Sequence, residues 1–215
     1  MGGKQNPDQR RRELCDAAIT LLAREGVKGV THLKVDRKAG VPDGTTSFYF
    51  RTSAALMRAA ANRIADLDLA DLTAATGSGA HGDVRGLARL VIRSSTGARL
   101  VRSKARYELV MPSSRDAGLA EAFSHNQQRF FELHRNVVVA LCPADTDPGL
   151  IDEKAYVLLT FISGLMLALA RGDRTINSDE ELHDIIAAIV AAVPAASHRE
   201  GVAGQQYRQI GHILG

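Results

Sequence analysis

Between Thr31 and Arg51 the chain reads T-H-L-K-V-D-R-K-A-G-V-P-D-G-T-T-S-F-Y-F-R, a run of small hydroxyl residues, aromatics and arginines around a Gly-Val-Pro break. Hydroxyls and guanidinium groups donate to phosphate oxygens and base edges, and small side chains let a backbone approach a duplex. The chemistry on offer is recognition of nucleic acid rather than bond breaking. The candidate contact residues are Thr31, His32, Arg37, Pro42, Asp43, Gly44, Thr45, Thr46, Ser47, Phe48, Tyr49 and Arg51.

Patterns that would support catalysis or a cofactor do not hold together. Glu180-x-x-His183 is half of a di-iron helix motif, which needs a second such pair and two further carboxylates, and no second pair exists. Gly77 to Gly82 matches G-x-G-x-x-G, but the dinucleotide fingerprint requires a preceding strand, and here the preceding segment reads as helix. There is no His-Glu-x-x-His, no Gly-x-Ser-x-Gly and no phosphate-binding loop. Cys15 and Cys142 are far apart and in no metal-like spacing. The expectation is a non-enzyme with no cofactor and no metal.

Two short helices must present the residues between Thr31 and Arg51, and the punctuation for both is present. Thr31 can cap the first helix, and Gly40 suits the left-handed position that ends it. Pro42 can open the second, with Asp43 at the positive end of its dipole. Gly40-Val41 is then the turn, and Asp43 to Tyr49 is the candidate recognition helix, with Gly44, Thr45, Thr46, Ser47 and Tyr49 as its exposed side chains. An ordinary helical hairpin with a polar face fits the same residues.

The whole chain supplies a setting. Its 215 residues are 45% hydrophobic, enough to bury a core. The formal charge is +3, but residues 1–63 hold twelve Lys and Arg against six Asp and Glu, leaving fifteen against eighteen for the rest. A basic head with Arg10-Arg11-Arg12 on an acidic body has the polarity a DNA-binding module needs. The longest charge-free apolar stretch, sixteen residues between Lys154 and Arg171, falls short of the roughly 18 that span a bilayer and reads as a buried helix. The N-terminus lacks the apolar run of a signal peptide, so a cytoplasmic protein with no membrane partner is expected.

Almost every segment reads as helix and none as a convincing strand. Helices are expected from Asn6-Pro7 to Gly26, from Thr52 to about Ala75, from Val84 to about Leu100, from Arg102 to Met111, from about Leu119 to Leu141, from Asp147-Pro148 to Arg171, and from Ser178, in a capping box with Glu181, to about Val193. The last two are apolar on more than one face, which suits either core burial in a monomer or a four-helix interface between two copies.

Gly26, Thr31, Val35, Ala39-Gly40-Val41, Gly44-Thr45, Phe48-Tyr49-Phe50 and Leu56, in this order and spacing, resemble the N-terminal DNA-binding domain of the TetR family of transcriptional regulators. The match runs from about Arg10 to Arg63. The family often has Lys where Asp43 stands, Leu where Thr46 stands and Tyr-Tyr-His where Ser47-Phe48-Tyr49 stands, and the loss of that Lys is expected to weaken one phosphate contact. The resemblance implies an all-α homodimer with a three-helix head (1–51), a connecting helix (52–76), an effector-binding and dimerisation body (77–194) and a weakly ordered tail (195–215). It further implies a repressor released from a near-palindromic double-stranded DNA operator when a small-molecule inducer shifts the connecting helix. Recognition helices would then sit roughly 34–36 Å apart.

Dimer contacts are expected from Leu158, Ile162, Leu165, Leu169, Ile185, Ile189 and Val193. Tyr107, Glu108, Met111, Phe123, Asn126, Phe130, His134 and Phe161 are the candidate effector residues; Phe123, Asn126, Phe130 and His134 recur at spacings of three and four that would share one helix face. The competing reading is a helical small-molecule-binding or enzymatic domain whose N-terminal hairpin is only structural.

Overall fold

The computed structural model of the chain describes residues 6–77 and 82–194. The expected tail and residues 78–81 of the glycine-rich loop lie outside them. Among the described residues there are ten α-helices and no strand: α1 (Pro7–Gly29), α2 (His32–Ala39), α3 (Thr45–Tyr49), α4 (Ser53–Thr76), α5 (Val84–Arg93), α6 (Gly97–Ser113), α7 (Ala117–Ser124), α8 (Gln127–Leu141), α9 (Pro148–Arg171) and α10 (Asp179–Ala192). The described residues form two compact units, one made of 6–67 and Gly97–His125, the other of 68–77, 82–96 and 126–194. The head expected to end at residue 51 therefore shares its unit with α6 and α7, which are distant in sequence.

In the first unit α1 packs along α6 and against α2, α2 against α3, and α6 against α7. The Asn6 side chain accepts the Asp8 N–H and Pro7 opens α1. Leu14, Ala17, Ala18, Leu21 and Leu22 then recur at helical spacing and are buried in the core with Val35, Leu56, Ala60, Ile64, Ala105 and Leu109. Gly26 breaks α1 as expected, at φ 68°, and a Cβ there would also stand 2.9 Å from Glu108 Oε2. Thr52 caps α4 by accepting the Ala55 N–H.

In the second unit α8 lies along α9, and α10 packs on α5 and α9. Leu87, Val91, Val137, Val138, Ala155, Leu158, Leu182 and Ile186 form its core. Asp147 accepts the Leu150 N–H ahead of Pro148, and Gly172 closes α9 at φ 98°. Ser178 accepts the Glu181 N–H, while the Glu181 carboxylate reaches back to the Asn177 N–H, one residue earlier than the usual box. α9 is 24 residues long and, by length and composition alone, apolar enough to cross a membrane, which the sixteen-residue count understated. Its buried side chains, including Leu158, Ile162 and Leu169, belong to the core of this unit.

Three helix boundaries differ from expectation. The segment read as one helix from Val84 to Leu100 breaks after Arg93, because Ser94 and Ser95 turn their hydroxyls back onto the Leu90 and Ile92 carbonyls and Gly97 takes φ 58°. The segment read as one helix from Leu119 to Leu141 breaks at His125-Asn126, where Asn126 leaves helical geometry with ψ near 5°. Pro112, expected to end a helix, instead sits inside the last turn of α6.

Gly86 supplies a test of the second unit. A Cβ there would lie 1.8 Å from the Ala75 carbonyl oxygen, a backbone atom that cannot swing aside. Gly86→Ala is expected to cost about 1–3 kcal/mol or more through overpacking, read as a lowered urea midpoint; an unchanged midpoint would refute this packing.

Candidate functional site

The candidate DNA-reading segment is organised around one carboxylate. Asp36 lies on α2, only 1% exposed, and accepts three hydrogen bonds: the Gly44 N–H on Oδ2 at 2.8 Å, and the Thr46 N–H at 2.7 Å and Thr46 hydroxyl at 2.5 Å on Oδ1. Two of the donors are orphan amides at the start of α3, a position where negative charge is favoured. Gly44 precedes α3 at φ 93°, a left-handed conformation that glycine adopts without strain. The turn is fixed separately, with Gly40 at φ 67° and the Val41 N–H bonded to the Asp36 carbonyl.

This arrangement corrects the expected recognition helix in two respects. It starts at Thr45 rather than Asp43, so Pro42 and Asp43 lie in the turn. Thr46, expected on the DNA-facing side, is fully buried, its hydroxyl spent on Asp36. The Thr45 hydroxyl donates to the Pro42 carbonyl, and His32, half-buried, donates through Nε2 to the Phe50 carbonyl at 2.8 Å. Thr31 caps α2 by accepting the Lys34 N–H. Their side chains build the motif.

What remains exposed is narrower than the sequence list: Thr31, whose hydroxyl caps α2, with Arg37, Pro42, Asp43, Gly44, Ser47, Phe48 and Arg51. Phe48 is 75% exposed, unusual for a large apolar side chain, and meets Tyr49 edge-on at 5.2 Å. Tyr49 is half-buried, and the Arg11 guanidinium lies 5.6 Å from the Tyr49 ring centroid and 5.3 Å from that of Phe50. An exposed apolar ring beside a serine hydroxyl can press on a thymine methyl while the hydroxyl bonds a base edge or phosphate. Arg11 belongs to the basic run Arg10-Arg11-Arg12, whereas Asp36 is absent from the sequence list; its signal is a carboxylate eight and ten residues ahead of Gly44 and Thr46.

Residues 78–195 match the family model described as the C-terminal domain of tetracyclin repressor-like proteins. The chain belongs to the TetR family. Solved structures with the same fold include a member of the TetR family from Streptomyces coelicolor A3, with 24% identity and TM-score 0.63 over 84% of this chain and 98% of that one. A protein of Pseudomonas aeruginosa PAO1 described as a candidate transcriptional regulator has 22% identity and TM-score 0.68 over 91% and 95%. The multidrug binding protein EbrR, solved with ethidium, has 27% identity and TM-score 0.58 over 84% and 98%. No curated protein matches the sequence.

In this TetR-family regulator Phe123, Asn126, Phe130 and His134 do not share one helix face, because α7 ends at Ser124 and α8 starts at Gln127. Tyr107, Glu108, Met111 and Phe123 fall in the first unit, and Asn126, Phe130, His134 and Phe161 in the second. Met111 is 70% exposed, Glu108 faces Gly26, and Phe123 and Phe130 pack on different cores. Leu158, Ile162 and Leu169, expected at the dimer interface, are buried in the chain's own second core; Leu165, Ile185, Ile189 and Val193 are half-buried. The exposed face of α9 carries Tyr156, Val157 and Leu167 instead.

Two buried polar groups stand out in the second unit. Lys154 donates to the Val190 and Val193 carbonyls and so caps α10; it borders an open cleft of about 370 Å³ lined also by Leu141, Cys142, Pro143, Thr146, Leu150, Ala187, Val190 and Ala191. His134 donates its Nδ1–H to the Phe130 carbonyl at 2.7 Å, and its Nε2 has no hydrogen-bond partner among the described residues. In the first unit, burial pushes the Cys15 thiol up to about 12, with the Asp16 charge adding to it, so this cysteine is inert.

Two outcomes follow from these geometries. Asp36→Ala strands the buried Thr46 N–H and hydroxyl and releases the Gly44 N–H, and is expected to cost about 3 kcal/mol in chemical denaturation; wild-type stability would show that the carboxylate does not hold α3. Burial holds the His134 imidazole below its ordinary 6.5, offset in part by the Phe130 carbonyl. Its contribution is therefore complete above about 6.5 and declines on acidification, as the unfolded chain takes a proton that the folded ring refuses. The thermal midpoint should drop from about pH 7 to about pH 5, and drop less in His134→Leu; equal drops would contradict the burial.

Proposed function

We propose that the protein is a homodimeric, cytoplasmic transcriptional repressor that binds a near-palindromic operator through α2 and α3 and is released by a small molecule held in its C-terminal part. The observation that carries this reading is the head itself. A five-residue helix, too short to be stable alone, is pinned by a buried carboxylate so that Ser47 and Phe48 face outward between Arg37 and Arg51. A merely structural hairpin gains nothing from leaving Phe48 three-quarters exposed.

Dimerisation is assigned to the outward faces of α9 and α10. Tyr156, Val157 and Leu167 with the half-buried Leu165, Ile185, Ile189 and Val193 give an apolar surface on the last two helices. An effector in the second unit is supported by its buried polar groups and by EbrR, a multidrug binding protein solved with ethidium.

Selection from random duplexes with the full-length chain tests the whole reading. It is expected to return an inverted repeat bound with a steep inverse salt dependence, and reporter expression from that repeat should fall when the protein is supplied. Phe48→Ala should weaken the selected site about tenfold, and replacing its thymines by deoxyuridine should weaken wild type but not the variant. A selection that enriches no site at moderate salt would end the DNA-binding reading.

A further inference from the structure

His134 lies on α8 one turn after Phe130 and one turn before Val137 and Val138, on the stripe that faces the apolar core of the second unit. It is 4% exposed. Its Nδ1 carries the proton, because the atom it meets at 2.7 Å is a carbonyl oxygen, which only accepts. Nε2 is therefore a bare lone pair, and among the described residues it has no hydrogen-bond partner. Buried acceptors are nearly always matched, and one left unmatched in a native core destabilises it. Nothing in the fold requires a histidine here: the Phe130 carbonyl already receives the backbone N–H of residue 134 within α8, so an aliphatic side chain would pack without the penalty.

We propose that His134 is the polar anchor of the effector site, an acceptor that selects small molecules carrying an N–H or O–H donor on an apolar body. This rests on the effector reading given above and adds the ligand's chemistry to it. Because burial disfavours the imidazolium, the ring meets its ligand as a neutral acceptor. A ligand carboxylate or ether would set lone pair against lone pair and be rejected, whereas a phenolic hydroxyl, an aromatic amine or an amide N–H would be held. The neighbouring Phe130, half-buried on the same stripe, suits a flat apolar body for that donor.

The test uses phenol and anisole, which differ in one hydrogen-bond donor, on full-length protein with ¹⁵N-labelled histidine. The His134 Nε2 resonance is expected to report an unprotonated nitrogen in the free protein, to shift on titration with phenol and to stay in place with anisole. In His134→Leu, phenol should bind about tenfold more weakly, and the thermal midpoint should be unchanged or raised by roughly 2–4 °C. A response to both probes or to neither, or a lowered midpoint in His134→Leu, would show that the ring is a structural element and overturn the proposal. Operator binding by the wild-type chain, measured in parallel, separates the two failures: if it is present, only the effector assignment falls, and if it is absent the regulator reading falls with it.

Discussion

The three hydrogen bonds received by Asp36 are the constraint on which the DNA-reading end of the molecule depends. A helix of five residues repays little of its nucleation cost with internal bonds, so α3 exists because something outside it satisfies its first amides. The carboxylate does this from inside the core, and in doing so it sets the rotation of α3 about its axis. Thr46 is drawn inward, and at 100° per residue the positions after it, Ser47 and Phe48, turn out. The same carboxylate bonds Gly44, whose left-handed backbone lets the chain reach α3 so soon after the turn. Helix start and exposed face are thus consequences of one buried carboxylate, while the turn before them is held by Gly40 and the backbone bond from Val41.

That hierarchy explains what the sequence disclosed and what it hid. Caps are local, so Asn6-Pro7, Thr31, Thr52, Asp147-Pro148 and Ser178 mark helix starts with no knowledge of the fold. The rotation of α3 is not local: it depends on a residue ten positions earlier, and Thr46 is indistinguishable from Thr45 or Ser47 until Asp36 is seen beneath it. The breaks after Arg93 and at His125-Asn126 were hidden for a related reason. Serine, threonine and asparagine carry only weak intrinsic preferences against helix, and it is packing that decides whether a hydroxyl turns back on a carbonyl or faces water. The second break matters most, because it divides Phe123 from His134 and so dissolves a helix face that sequence spacing had drawn.

The apolar excess of α9 shows the converse limit. Periodicity reveals that the helix is apolar on several sides but not which side is spent. Leu158, Ile162 and Leu169 go to the chain's own core, and Tyr156, Val157 and Leu167, residues of the same chemistry displaced around the axis, are left outside.

Lys154 and His134 are both buried polar groups in the same unit, and the contrast between them carries the functional weight. Lys154 brings a charge into the interior but aims it at two carbonyls at the C-terminal end of α10, where the helix dipole favours a cation and the orphan acceptors need donors. Its presence is accounted for by architecture. His134 is the opposite case: its one bond goes to a carbonyl already served by the helix, and its remaining nitrogen has no hydrogen-bond partner among the described residues. A core under selection for stability alone would replace such a ring with leucine, whereas sites that bind or react routinely retain groups that destabilise the empty protein. The distinction between a buried polar residue that the fold uses and one that the fold merely tolerates is what separates scaffold from site in this unit.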